Sequence, residues 1–105
     1  MAKSMTPQEL KSLIESGEQL TVLDVRPKNN YDTSPKRISG AVWRDPLDTA
    51  EWRNEIPRDR KVVIYCVSGG WVSKEIAERF RESHGDAHFL EGGIKAWEEM
   101  GEPVE

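Results

Sequence analysis

Cysteine is almost missing from this chain: its 105 residues contain one, Cys66. A lone cysteine forms no internal disulfide, and it excludes both a two-cysteine redox motif and a cysteine-rich zinc site. Its solitary state fits a reducing, cytoplasmic setting. Long apolar runs are missing as well. None approaches the roughly 20 residues of a membrane span, and Met1-Ala2-Lys3-Ser4 lacks the apolar run of a secretory signal. There is no excess of positive charge: 15 Lys and Arg stand against 19 Asp and Glu, for a net charge of -4. That balance argues against nucleic acid, which needs a concentrated basic patch, and against an anionic membrane surface. Repeats, low-complexity tracts and Gly/Ser linkers are absent too, so residues 1–105 are expected to form one domain. What remains is 36% apolar and 32% charged, a water-soluble globular composition. A chain of this length buries roughly 60–70% of its unfolded surface, enough for one modest core.

Local patterns divide the chain into alternating elements. Thr6-Pro7-Gln8-Glu9 has the form of a capping box with proline at the first helical position. Leu10, Leu13 and Ile14 then share one helical face, and Gly17 ends the turn. Leu20–Val25 and Lys61–Cys66 read as buried strands, Ala41–Trp43 as a short one and Ala87–Leu90 as the last. The polar stretch from Lys28 to Ser39 reads mostly as loop. Helices are expected around Leu47–Asn54, over Ser73–Ser83 and over Ile94–Met100, the last entered through Gly92-Gly93. Such alternation predicts an α/β fold: a mainly parallel twisted sheet with helices on both faces. Ligand sites in such sheets lie beyond the carboxyl ends of the strands.

Cys66 stands at that place. It ends an apolar strand, and Ser68-Gly69-Gly70 follows before a helix begins. Loop amides unencumbered at Gly69 and Gly70 can turn inward around the sulfur. The helix start adds a partial charge of about +0.5. A concave set of N–H groups of this kind stabilises an anion and so favours the nucleophilic thiolate. The alternative is a small buried hydrophobe that reacts with nothing.

The residues also carry a family resemblance. Leu23-Asp24-Val25-Arg26, Tyr31 and Ile38-Ser39-Gly40-Ala41-Val42 resemble the opening signature of rhodanese-like domains. Tyr65-Cys66-Val67-Ser68-Gly69-Gly70 resembles their active-site loop, and Leu90–Trp97 with Gly101-Glu102-Pro103-Val104 their C-terminal signature. The three blocks occur in family order and span nearly the whole chain. The resemblance implies a sulfurtransferase in which Cys66 takes sulfane sulfur from a donor such as thiosulfate, polysulfide or a persulfide. Cys66 would hold it as a persulfide and pass it to cyanide, a thiol or a sulfur-relay protein. It implies that the loop of Val67, Ser68, Gly69, Gly70, Trp71 and Val72 binds substrate, that Asp24 and Arg26 support the loops, and that no cofactor or metal is needed.

One position departs from the family pattern Cys-x-x-Gly-x-Arg: Trp71 stands where the arginine would be, and no Lys or Arg lies between Cys66 and Lys74. Thiosulfate is a dianion that a guanidinium suits well, so the departure disfavours thiosulfate while leaving persulfide chemistry open. Arg44 and Arg26 remain candidate cations from other loops. Trp71 is expected either to rim the site or to pack partly buried, and Trp97 to lie in the core; Ser68 and Ser73 are expected to donate to bound sulfur or to cap the helix, with capping favoured for Ser73. His84 and His88 lack ligand partners at metal spacing. Two other readings stay in view. One is a catalytically weak sulfur-carrier or interaction module. The other is a phosphatase or arsenate reductase, which lacks here the arginine that would clamp its oxyanion.

Overall fold

The apolar alternation along the central strand organises the molecule. The computed structural model describes residues 3–68 and 70–105. Its strands are β1 (Lys3–Met5), β2 (Leu20–Asp24), β3 (Val42–Trp43), β4 (Lys61–Tyr65) and β5 (Ala87–Leu90). Its helices are α1 (Pro7–Glu15), α2 (Lys28–Thr33), α3 (Thr49–Trp52), α4 (Trp71–His84) and α5 (Gly93–Glu99). Two 3-10 turns, Pro46–Asp48 and Arg53–Glu55, flank α3. The strands form one sheet in the order β1-β5-β4-β2-β3, and every pairing is parallel.

Successive side chains of β4 point to opposite faces. Val62, Ile64 and Cys66 join Leu23, Val25, Trp52, Ile76 and Phe80 in one apolar cluster, under α3 and α4. Val63 and Tyr65 join Val22, Leu10, Ile94 and Trp97 in the other, under α1 and α5. With both faces covered, β4 is buried and apolar from Val62 to Tyr65. The same alternation sends the Cys66 side chain toward α4 and away from α5.

The expected elements are present with small changes of boundary. The Thr6 cap is complete: Glu9 N donates to Thr6 Oγ1 at 3.1 Å and Thr6 N to Glu9 Oε1 at 3.4 Å. Two elements differ from the reading of the sequence. Lys3–Met5 is a strand, too short for any periodicity, and it forms because β5 offers an open edge: Lys3 pairs with His88 and Met5 with Leu90. Lys28–Thr33, read as loop, is a helix with no buried residue and no side-chain cap. It is held from outside, because the Tyr31 ring stacks on Trp43 with centroids 4.9 Å apart.

Register brings the strand ends together. Asp24 pairs with Tyr65 and with Trp43, and Val25 N donates to Tyr65 O at 2.9 Å. Cys66, Val25 and Arg44 therefore all leave the sheet at its carboxyl edge.

Candidate active site

The segment after β4 is pinned from behind by the start of α5. Ile94 N donates to Cys66 O and Lys95 N to Val67 O, each at 3.0 Å. Gly93 makes this approach possible. Its φ is +59°, and a Cβ there would collide with Cys66 O and lie 2.7 Å from the Val67 carbonyl carbon. Only glycine tolerates both the left-handed backbone and the contact. Because a trans peptide holds C=O and N–H on opposite sides, and no described peptide is cis, those two carbonyls turn the Val67 and Ser68 amides away from α5. Among the described residues, neither amide donates to a backbone carbonyl, the hydrogen-bond partners of the sulfur are Ser73 Oγ and Gly70 O, and no backbone N–H donates to it.

The Cys66 side chain is 5% exposed. Its Sγ lies 3.2 Å from Ser73 Oγ, and Gly70 O is a weaker acceptor at 3.9 Å. Ser73 is fully buried, and its hydroxyl also reaches Gly70 O at 3.4 Å. Of the two roles open to Ser73, the structure puts its hydroxyl at the sulfur and not at the cap. The helix begins two residues earlier, at Trp71, with Gly70 in the N-cap position and no side-chain cap. Ser73 therefore falls on the inward side of the first turn, aimed at the sulfur. Trp71 and Val72 carry no turn signal, so apolar periodicity alone located the start too late. When the sulfur is anionic, the serine hydroxyl donates to it; when it is a thiol, either group can donate.

Around the sulfur, Val67, Ser68 and Gly70 are exposed and Val72 is half-buried against the same apolar cluster. Trp71 is 73% exposed, so of its two expected places it occupies the rim. Gly69 lies outside the described residues.

Asp24 and Arg26 form a buried pair at the end of β2. Arg26 Nε donates to both carboxylate oxygens, at 3.0 and 2.9 Å, and Nη2 donates to Oδ2 at 2.6 Å. The remaining reach of the guanidinium ties down the following loop through Ser34 O at 2.9 Å and Lys36 O at 2.8 Å. Burial pulls the Arg26 pKa down, but the hydrogen bond and charge of Asp24 outweigh it, and the net shift is upward. Arg26 stays a cation whose donors are engaged inside the protein. Arg44 is half-exposed and pairs with Glu55 at 3.5 Å. His84 serves the core: its ring stacks on Phe80 at 4.6 Å, and Nε2 lies 2.9 Å from Ile56 O. Gly93 and Ser73 are the residues that reading the sequence undervalued. The Gly92-Gly93 pair was the only signal available for the first, and for the second a sulfur-donor role was open but capping was favoured.

This geometry meets a consistent set of similar proteins. A family model described as "Rhodanese-like domain" matches residues 6–100. The chain is 31% identical over 102 residues to the Mycobacterium tuberculosis protein named "Probable adenylyltransferase/sulfurtransferase MoeZ", a match covering 95% of this chain and 26% of that protein. It thus spans about a quarter of that relative's length. A "Sulfurtransferase" of Allochromatium vinosum is 29% identical over 109 residues, covering 99% of this chain and 95% of that one. The crystal structure of a rhodanese-related protein from Thermoplasma volcanium superposes with a TM-score of 0.83 at 26% identity, covering 98% of this chain and 97% of the other.

Proposed function

The chain belongs to the rhodanese-like domain family, and on that premise we propose that it is a sulfurtransferase working through a persulfide on Cys66. In the first half-reaction the Cys66 thiolate attacks the outer, sulfane sulfur of a donor. A bond from Sγ to that sulfur forms as the donor's own bond breaks, and the rest of the donor leaves with the electron pair, as sulfite from thiosulfate or as a thiolate from a persulfide. In the second half-reaction cyanide or a thiolate attacks the outer sulfur of the persulfide. The electron pair returns to Sγ, and the thiolate is regenerated. Covalent catalysis of this kind splits one transfer into two displacements.

The observation that carries the reading is the position of the sulfur: 3.2 Å from a buried hydroxyl, at the uncapped start of α4. The Val67 and Ser68 amides, which point away from α5, are the further N–H groups available to a sulfur anion. Val67, Ser68, Gly69, Gly70, Trp71 and Val72 form the loop that receives substrate, while Asp24 and Arg26 hold the neighbouring loop in place. The donor is a persulfide or polysulfide in preference to thiosulfate. No Lys or Arg stands in the loop, and Arg26 is engaged with Asp24 and two carbonyls. The acceptor is a thiol, free or carried by a relay protein, and a reducing cytoplasmic setting suits a lone reactive thiol.

Incubation with thiosulfate, mercaptopyruvate or polysulfide, followed by intact-mass measurement, tests this. One added sulfur atom, removable by cyanide and missing from Cys66→Ser, is expected. No adduct from any of the three donors would defeat the proposal.

A further inference from the structure

A groove runs beside the candidate active site, sharing Trp71 and Val72 with it and extending an apolar lining beyond them. Its volume is about 620 Å³, within the range of roughly 300–1,000 Å³ that small-molecule sites occupy. Pro27 and Leu47 form one wall; Trp71, Val72 and Ile76 form the other. Leu47 is 90% exposed and Trp71 73%, so two large apolar side chains that line one depression stand in water.

The Leu47 wall is built rather than loose. Asp45 accepts from Leu47 N at 3.0 Å and caps the 3-10 turn. Buried Trp52 donates to Asp45 O at 2.8 Å, and buried Thr49 donates to Pro46 O at 2.8 Å. Leu47 does not stand alone: it shares one groove with Pro27, Trp71, Val72 and Ile76, and a contiguous apolar surface of this kind is what ligand-binding grooves present. The other wall continues into the sulfur site, since Ile76 belongs to the apolar cluster that contains Cys66 and Val72 packs against it. The charged groups of the rim are already engaged. Lys28 pairs with Asp32 and Arg79 with Glu75, each at 3.0 Å. The groove therefore offers a strong anion no unpartnered cation, whereas an uncharged apolar body matches it.

Resting on the sulfurtransferase reading of Cys66, we propose that this groove binds the body of a low-molecular-weight thiol with an aromatic or apolar tail. The tail lies between Leu47 and Trp71, and the thiol presents its sulfur on the loop side of Val72. The acceptor thiolate attacks the outer sulfur of the Cys66 persulfide. Its new S–S bond forms, the bond from Sγ breaks, and the electron pair stays on Sγ. A new persulfide leaves on the acceptor.

Two measurements test the subsite. In the first, persulfidated protein transfers sulfur to 2-phenylethanethiol and to 2-mercaptoethanol. The aromatic thiol is expected to react about tenfold better in kcat/KM, as burial of part of one ring requires. Leu47→Asp should reduce that ratio about fivefold or more, whereas Val42→Asp, an exposed change outside the groove, should leave it as it is. In the second, the unreactive methyl 2-phenylethyl sulfide is titrated against labelled protein, and amide shifts are expected at Leu47, Val72 and Ile76. A persulfide-loaded protein with no preference between the thiols overturns the subsite alone, as does a preference that Leu47→Asp leaves unchanged or a titration without shifts at those three amides. Failure of Cys66 to take up sulfur from any donor overturns the sulfurtransferase reading itself.

Discussion

Replacing Ser73 by alanine removes one hydroxyl from a fully buried site and adds nothing. That oxygen is 3.2 Å from Sγ, so its loss is felt in both protonation states of Cys66, but unequally. A hydrogen bond between neutral groups is worth about 0.5–1.5 kcal/mol, and one to a charged group about 1.5–3 kcal/mol. The thiol also keeps an acceptor in Gly70 O, at 3.9 Å, whereas a thiolate can only accept. The anion therefore loses more than the thiol, by about 1–1.5 kcal/mol, which converts to a five- to thirteenfold drop in any rate that depends on the thiolate, at about 1.36 kcal/mol per factor of ten. Ser73→Ala should load sulfur from polysulfide about five to thirteen times more slowly and lose about the same factor in alkylation by iodoacetamide at neutral pH. The two assays share only the thiolate, so they should fall together. Both rates within twofold of the parent would refute the assignment of Ser73 as a donor to the sulfur. A fall in loading without a fall in alkylation would move its action to another step.

Gly93→Ala should destabilise the chain by about 2–5 kcal/mol in urea unfolding. The left-handed backbone costs about 1–2 kcal/mol for a residue with a Cβ. The collision with Cys66 O then strains the Ile94 and Lys95 hydrogen bonds, each worth about 0.5–1.5 kcal/mol. Sulfur loading should weaken with it, and unchanged loading in the folded variant would show that α5 does not hold the loop. Trp71→Arg should speed loading from thiosulfate more than loading from an alkyl persulfide, since the added guanidinium meets a sulfonate-bearing dianion in the first and a monoanion in the second; an unaltered donor profile would remove the missing-cation explanation. Burial holds His84 below its ordinary pKa, and Arg58 and Arg53 add to that, against the raising effect of Ile56 O. The unfolded chain then binds the proton more readily than the folded one. Stability should be complete above about pH 6.5 and fall as the pH drops from there toward the depressed folded value. His84→Gln, which keeps a donor for Ile56 O, should show a flatter profile in urea midpoints, and equal slopes would contradict it.

Much of the fold was legible because its signals are local. The Thr6–Glu9 box, the continuous apolar run of β4 and the 3.6-residue spacing of Ile76, Ala77 and Phe80 each lie within a few neighbouring residues. Elements without such signals were missed. β1 is three residues long and owes its existence to the open edge of β5. α2 buries nothing and leans on Trp43 through Tyr31. At the site, the strand–Cys66–glycine order was visible, whereas Ser73 looked like a cap because the true helix start at Trp71 has no turn residue of its own.

By itself, the sequence determined which stretches become strands and helices, and it set Cys66 at the end of an apolar strand before a glycine-bearing turn. Periodicity and capping act between residues close in the chain, so the order of the letters suffices for them. Only the tertiary structure decided what surrounds the sulfur. The sheet order and the right register bring Gly93 against Cys66, seat Ser73 on Sγ and place Leu47 and Trp71 on one groove. Gly93 and Cys66 are 27 residues apart in the chain, and Leu47 and Trp71 are 24 apart. Their meeting depends on how the crossovers stack the helices on a twisted parallel sheet, and no local pattern records that.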